Sequence, residues 1–214
     1  MQIYSRNCGG LPPLIREYMH TDLSLYRRTA ILTRELNAMN NLINWLLNPP
    51  ADGPRATLLI RLMAGSVFLW EGLMKFVYPN QGVGRFTKLG FPFPHFTATA
   101  DGWFEIIGGL LILGGWLTRL IAIPFIIEMV VAMASTKIPL YLGTSPLPLP
   151  PVPPQIGFWA VLHEIRSEFA QLSCCAFLML TGPGPWSIDA LLANRRSEVE
   201  ALPRNGLTSA VPAP

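Results

Sequence analysis

Charge is what this sequence has least of. Acidic and basic residues make up 14% of its 214 positions, against roughly 25% in ordinary soluble domains. A surface facing water needs more than that, whereas a surface facing lipid has no such need. Apolar residues reach 50% and mean hydropathy is +0.36, so hydrocarbon is the expected solvent. Cysteine is scarce too: three in all, with Cys174 and Cys175 adjacent, which gives neither a disulfide framework nor a metal-ligand spacing. Adjacent cysteines bridge only through a strained ring, so these two read as small packing residues. His95 and His163 have no second His or Cys nearby, and no metal site is expected. A Gly-rich phosphate loop, a haem motif and a nucleophile constellation are all missing. The net charge of +3 gives no reason to expect nucleic acid. The first 20 residues carry Pro, Arg and Glu where the apolar core of a cleavable signal peptide would sit.

What the chain does have is a series of long apolar runs. Residues 1–57 read as a cytoplasmic N-terminal extension, unstructured to residue 20 because of Gly9-Gly10 and Pro12-Pro13. From Thr21 to Leu47 the pattern turns helical. Leu25, Leu32, Leu36, Met39, Ile43 and Leu46 recur at three- and four-residue spacings, with Arg27, Arg28 and Arg34 elsewhere. Such an amphipathic helix can lie on a membrane surface, basic side toward the headgroups. The first 38 residues read equally well as an extension upstream of a start at Met39.

Four membrane spans are expected, at about 58–78, 96–114, 118–136 and 158–180. About 20 residues at a 1.5 Å rise cross a hydrocarbon core of about 30 Å. Gly114-Gly115-Trp116-Leu117 leaves room only for a tight hairpin between the second and third. The fourth is mixed, because His163, Glu164, Arg166 and Glu168 occupy its first turns. Six prolines between Pro146 and Pro154 exclude helix there and favour a stiff polyproline II spacer. Residues 193–214 read as a disordered tail. The expected fold is thus all-α: an integral membrane four-helix antiparallel bundle preceded by an amphipathic helix.

Charges inside the spans are the strongest pointer to a site, since each costs roughly 2.5–3.5 kcal/mol at mid-helix unless it finds a partner or water. Glu71 and Lys75 lie four apart on the first span and share a face, with Arg61 about 80° away at about 100° per residue. Asp101 and Glu105 repeat the spacing on the second span, Glu128 is central in the third, and Glu168 lies near the outer end of the fourth. One reading pairs Glu105 and Glu128 with a Lys or Arg of a neighbouring helix to fix register. The other makes the cluster a polar cavity that binds a quinone headgroup or relays protons. Gly65, Gly72, Gly108 and Gly109 would let backbones approach closely in either case.

Several of these residues also carry a family resemblance. The run Arg61-Leu-Met-Ala-Gly65, continued by Phe68-Leu-Trp-Glu-Gly72-Leu-Met-Lys75, resembles the opening of DoxX proteins. Gly90-Phe-Pro92, Glu105-Ile-Ile-Gly108-Gly109, Leu117-Thr118-Arg119 and Gly182-Pro-Gly184-Pro-Trp-Ser187-Ile-Asp189 follow in the family's order. The resemblance spans about residues 58–192; the N-terminal extension and the Pro-rich loop lie outside it. It implies a small four-helix bacterial membrane protein and a subunit of a membrane-associated, quinone-linked oxidoreductase complex, with quinone as the cofactor and a redox protein as partner beside the lipid bilayer. A small-solute or proton transporter and a non-catalytic assembly factor are the competing functions. The candidate polar interior comprises Arg61, Glu71, Lys75, Glu105, Arg119, Glu128 and Glu168.

Basic residues set the expected orientation. Arg27, Arg28, Arg34, Arg55, Arg119, Arg195, Arg196 and Arg204 fall on one side, and Arg85, Lys88, Lys137 and Arg166 on the other. Positive-inside counting puts both termini in the cytoplasm, and the resemblance implies the inner membrane of a bacterial cell. A reporter domain fused after Ser197 should therefore be active on the cytoplasmic side; activity confined to the outside would reverse the topology.

Overall fold

The computed structural model describes residues 13–50 and 52–201. Eight helices and no strand are present among these residues. The chain divides into two units, residues 1–45 and 46–214. In the first, α1 runs from Pro13 to Leu47. It starts before the expected onset at Thr21 because no Gly or Pro interrupts residues 14–47 and Pro13 suits a first helical position. Ile31, Leu32, Leu36 and Met39 are exposed on it, as are Arg28 and Arg34. The expectation of an unstructured start concerns residues 1–12, outside the described ones, and residues 13–20, which are helical.

The second unit holds α2 (Thr57–Val77), α3 (Val83–Lys88), α4 (Pro94–Gly114), α5 (Thr118–Leu142), α6 (Phe158–Glu164), α7 (Arg166–Thr181) and α8 (Ile188–Ala201). Three of these, α2, α4 and α5, are long and apolar enough to cross a membrane. The stretch expected as a fourth span is two helices that meet at Ile165. Glu164, Arg166 and Glu168 around that break keep its apolar run short, and α7 alone has 16 residues, fewer than the roughly 20 needed to span. It still packs lengthwise against α5 and completes the bundle. Residues 193–201 of the expected disordered tail belong to α8; residues 202–214 lie outside the described ones.

Neighbouring bundle helices run antiparallel, and glycines set the spacing between α2 and α4. A Cβ on Gly65 would sit 2.8 Å from the Gly109 carbonyl oxygen, and one on Gly109 would sit 2.8 Å from that of Gly65. Gly72 and Gly102 repeat the contact a turn or two further on, with 2.7 Å from a Gly72 Cβ to the Gly102 oxygen. Small residues allow this approach, and in lipid the resulting dispersion contacts are a main source of helix association. Beside it, Phe68 of α2 stacks on Phe125 of α5, with ring centroids 3.6 Å apart. Ala64, Ile112, Ala122, Cys175 and Leu178 fill the rest of the core. The outer faces carry Leu59, Leu62, Ile107, Leu110, Ile127 and Val130, all exposed. Apolar exposure on this scale is the surface of a protein solvated by lipid.

One end of the bundle is closed by a latch of charged side chains that serve backbone groups. α4 ends in a left-handed turn at Gly115, where Gly115 N–H donates to Ile112 O and Trp116 N–H to Leu111 O. Arg61 donates from Nε to Ile112 O (3.0 Å), from its terminal nitrogens to Leu113 O, to Trp186 O (2.5 Å) and to Pro183 O (3.3 Å). Arg119 does the same for the end of α7, donating to Met179 O (2.9 Å) and Leu180 O (3.0 Å). Asp189 works in the opposite sense: its carboxylate accepts from Leu117 N–H (3.1 Å) and Thr118 N–H (3.4 Å), capping α5 from outside that helix. Burial pushes the Asp189 carboxyl upward in pKa, while those amides and the Arg61 charge oppose it. Helix ends leave four N–H or C=O groups without intrahelical partners, and these three side chains supply partners here.

Three outcomes follow. Gly72→Val forces the α2 and α4 backbones apart and should cost about 1–3 kcal/mol, the usual range for overpacking. Gly53→Ala, whose added Cβ would meet nothing closer than 3.7 Å, should leave the melting midpoint in detergent nearly unchanged. Asp189→Ala removes the cap of α5 and should cost about 0.5–2 kcal/mol by the same melting measurement.

Candidate functional site: a charged cavity between the bundle helices

The end of the bundle away from the latch holds a cavity of about 640 Å³. At its polar side, Lys75 of α2 meets Asp101 and Glu105 of α4. Its ammonium forms an ion pair with Glu105 Oε2 at 2.5 Å and a second with Asp101 Oδ2. Glu128 of α5 completes the group, and the carboxyl oxygens of Asp101, Glu105 and Glu128 lie within 4.8 Å of one another. Local sequence explains the meeting. Asp101 and Glu105 are one helical turn apart and share a face. Gly102 lies against Gly72, and this contact brings Lys75, three residues beyond Gly72, alongside them. Glu105 is buried to within 3% of full exclusion.

The remaining walls are mixed. Phe68, Phe86, Phe91 and Phe104 line the cavity together with Glu71, Arg85 and Gln171. The Lys75 ammonium lies 5.8 Å from the centre of the Phe86 ring, within cation–π range. Lys137 of α5 and Glu168 of α7 form a 2.7 Å ion pair on another wall. Two buried oxygens, Glu128 Oε2 and Gln171 Oε1, have no hydrogen-bond partner. Buried polar atoms are normally paired, and an orphan lining a cavity marks a place where a ligand atom or ion can serve as the partner.

Of the seven residues proposed from sequence, Lys75, Glu105 and Glu128 come together, and Glu71 and Glu168 line the same cavity. Lys75 does not turn back to Glu71 on its own helix; it pairs across to α4. Arg61 and Arg119 lie elsewhere, at the latch, where they bind backbone carbonyls. The cluster also includes Asp101, Lys137 and Gln171. Asp101 carried a signal, the i, i+4 spacing to Glu105. Gln171 and Lys137 carried almost none, because one neutral amide and one lysine at a helix end are common in any sequence.

Comparison with known proteins places these residues in a family. The family model described as DoxX matches residues 56–138, which include Lys75, Asp101, Glu105 and Glu128. The uncharacterized membrane protein Rv3486 of Mycobacterium tuberculosis (strain ATCC 25618 / H37Rv) is 41% identical over 151 residues, 68% of this chain and 86% of that protein. "Putative oxidoreductase CatD" of Bacillus subtilis (strain 168) is 32% identical over 82 residues, 38% of this chain and 60% of that protein. No solved structure matches the chain. With the helical bundle, its lipid-facing exterior and a family match through the charged cluster, the chain belongs to the DoxX family of membrane proteins.

Proposed function

We propose that this protein is a subunit of a membrane-associated, quinone-linked oxidoreductase complex and that its cavity holds the quinone headgroup. The observation that carries the reading is the juxtaposition of the Lys75 ammonium with the aromatic walls of one cavity. A quinone headgroup is a flat, largely apolar ring bearing two carbonyl acceptors. Phe68, Phe86 and Phe104 offer it apolar faces, and the Lys75 ammonium offers a charged donor. The volume of about 640 Å³ falls in the range of about 300–1,000 Å³ typical of small-molecule sites. Glu128 Oε2, an oxygen without a partner, is placed to accept or give a proton at the cavity surface. Bound quinone would supply a two-electron, two-proton couple, and the chain's residues would bind and orient the ring and exchange protons at the carboxyls. The oxidoreductase name of the Bacillus relative supports the same class. We also place both termini, and with them the latch, on the cytoplasmic side of a bacterial inner membrane, because arginine is richest there.

Purification in mild detergent with its native partners, followed by extraction and mass spectrometry, is expected to return quinone. Titrating a short-chain quinone into Lys75→Gln should show affinity about tenfold lower or worse, given about 1.5–3 kcal/mol for a hydrogen bond from a charged donor. Unchanged affinity in that variant would falsify the assignment. Proton or solute flux into liposomes containing the chain alone would favour a transporter instead.

A further inference from the structure

We infer that Asp101, Glu105 and Glu128, with Gln171, form a binding site for one hard divalent cation of the Mg2+, Mn2+ or Ca2+ type. Three observations carry this, and none depends on quinone. The first is spacing. Oxygens that surround a cation at about 2.1–2.5 Å stand roughly 3–5 Å from one another, and the three carboxyl groups already offer oxygens within 4.8 Å. The second is charge. Lys75 pairs with Asp101 and Glu105, and Glu128 joins neither ion pair, so full ionisation of the three carboxyls would set two negative charges beyond the one ammonium. Uncompensated charge is too costly to keep inside a bundle surrounded by lipid, and one divalent cation cancels it. The third comes from another helix. Gln171 of α7 is only 4% exposed, lines the same cavity and carries an Oε1 without a hydrogen-bond partner. A buried amide oxygen left unpaired in the same cavity as an acidic group offers a neutral ligand for a cation.

The donor set decides the class of metal. Every candidate ligand atom is oxygen, and among the described residues neither His nor Cys lines the cavity. Carboxylate and carbonyl oxygens suit Mg2+, Ca2+ and Mn2+, whereas zinc and copper prefer nitrogen or sulfur. Glu128 and Gln171 contribute the oxygens that lack partners, and the Lys75 ammonium competes with a cation for Asp101 and Glu105. Two protons could neutralise the same charges, and that alternative predicts no cation binding at all.

Mn2+ is a suitable probe because its paramagnetic signal changes on binding. The full-length protein, stripped of metal in detergent, should bind one Mn2+ in a spin-resonance titration, and Mg2+ or Ca2+ should displace it. Its melting temperature should rise with added Mn2+. Glu128→Gln should weaken binding about tenfold or more, as loss of a charged ligand does. Gln171→Leu, which leaves the carboxylates intact and serves if Glu128→Gln does not fold, should weaken it several-fold. Lys75→Met should tighten it by removing a competing positive charge, a change that misfolding cannot mimic. Absence of Mn2+ binding and of any thermal shift in the unaltered protein overturns the site, as does binding that neither Glu128→Gln nor Gln171→Leu alters. Quinone plays no part in this titration, so a negative result leaves the quinone reading standing, and loss of quinone binding leaves this site standing.

Discussion

Where α2 and α4 cross, backbone meets backbone: Gly65 lies against Gly109 and Gly72 against Gly102. The group of Lys75, Asp101 and Glu105 takes its position from that contact. In lipid, association gains little from burying apolar surface, because the tails are as apolar as leucine; close packing and polar pairing must supply it. Glycine at the crossing lets the helices approach until a lysine on one reaches two carboxylates on the other. Wider spacing would leave Lys75, Asp101 and Glu105 each searching for a separate partner in hydrocarbon.

The two ends of the bundle use charge for different purposes. At the latch, Arg61, Arg119 and Asp189 satisfy the free carbonyls and amides of helix termini, so each charge is spent on the backbone. At the cavity, side chains face one another: Asp101 and Glu105 share a single lysine, and Glu128 lies beside them. The first arrangement is saturated and closes the structure. The second leaves two oxygens unpaired and a volume beside them, which is the physical condition for binding something. Residues of one sequence family thus divide between holding helix ends together and lining a site.

How much of this was legible beforehand follows from the scale of each signal. The all-α membrane fold was legible because hydropathy over about 20 residues is a strong, additive signal. Lys75, Glu105 and Glu128 stood out because a charge in an apolar run is expensive and therefore rarely accidental. The break at Ile165 was not legible; neither Gly nor Pro marks it, and only the polar residues around it hinted that α7 would fall short of a full span. Gln171 was invisible, since an amide on a mixed helix looks like any solvated residue until its burial is known.

Periodicity within a single helix states which residues share a face, and on that basis Glu71 and Lys75 belonged together. It carries no information on which face turns toward which neighbour. Arg61 illustrates the limit: its sequence position allows it to join an interior cluster, yet the rotation and depth of α2 carry it to the carbonyls of Ile112, Leu113, Pro183 and Trp186. The sequence by itself determined that these charges would be buried in a helical membrane protein, because their cost is local and independent of partners. Only the tertiary structure decided which charges would meet, because pairing depends on the relative rotation of helices set by glycine contacts far apart in the chain.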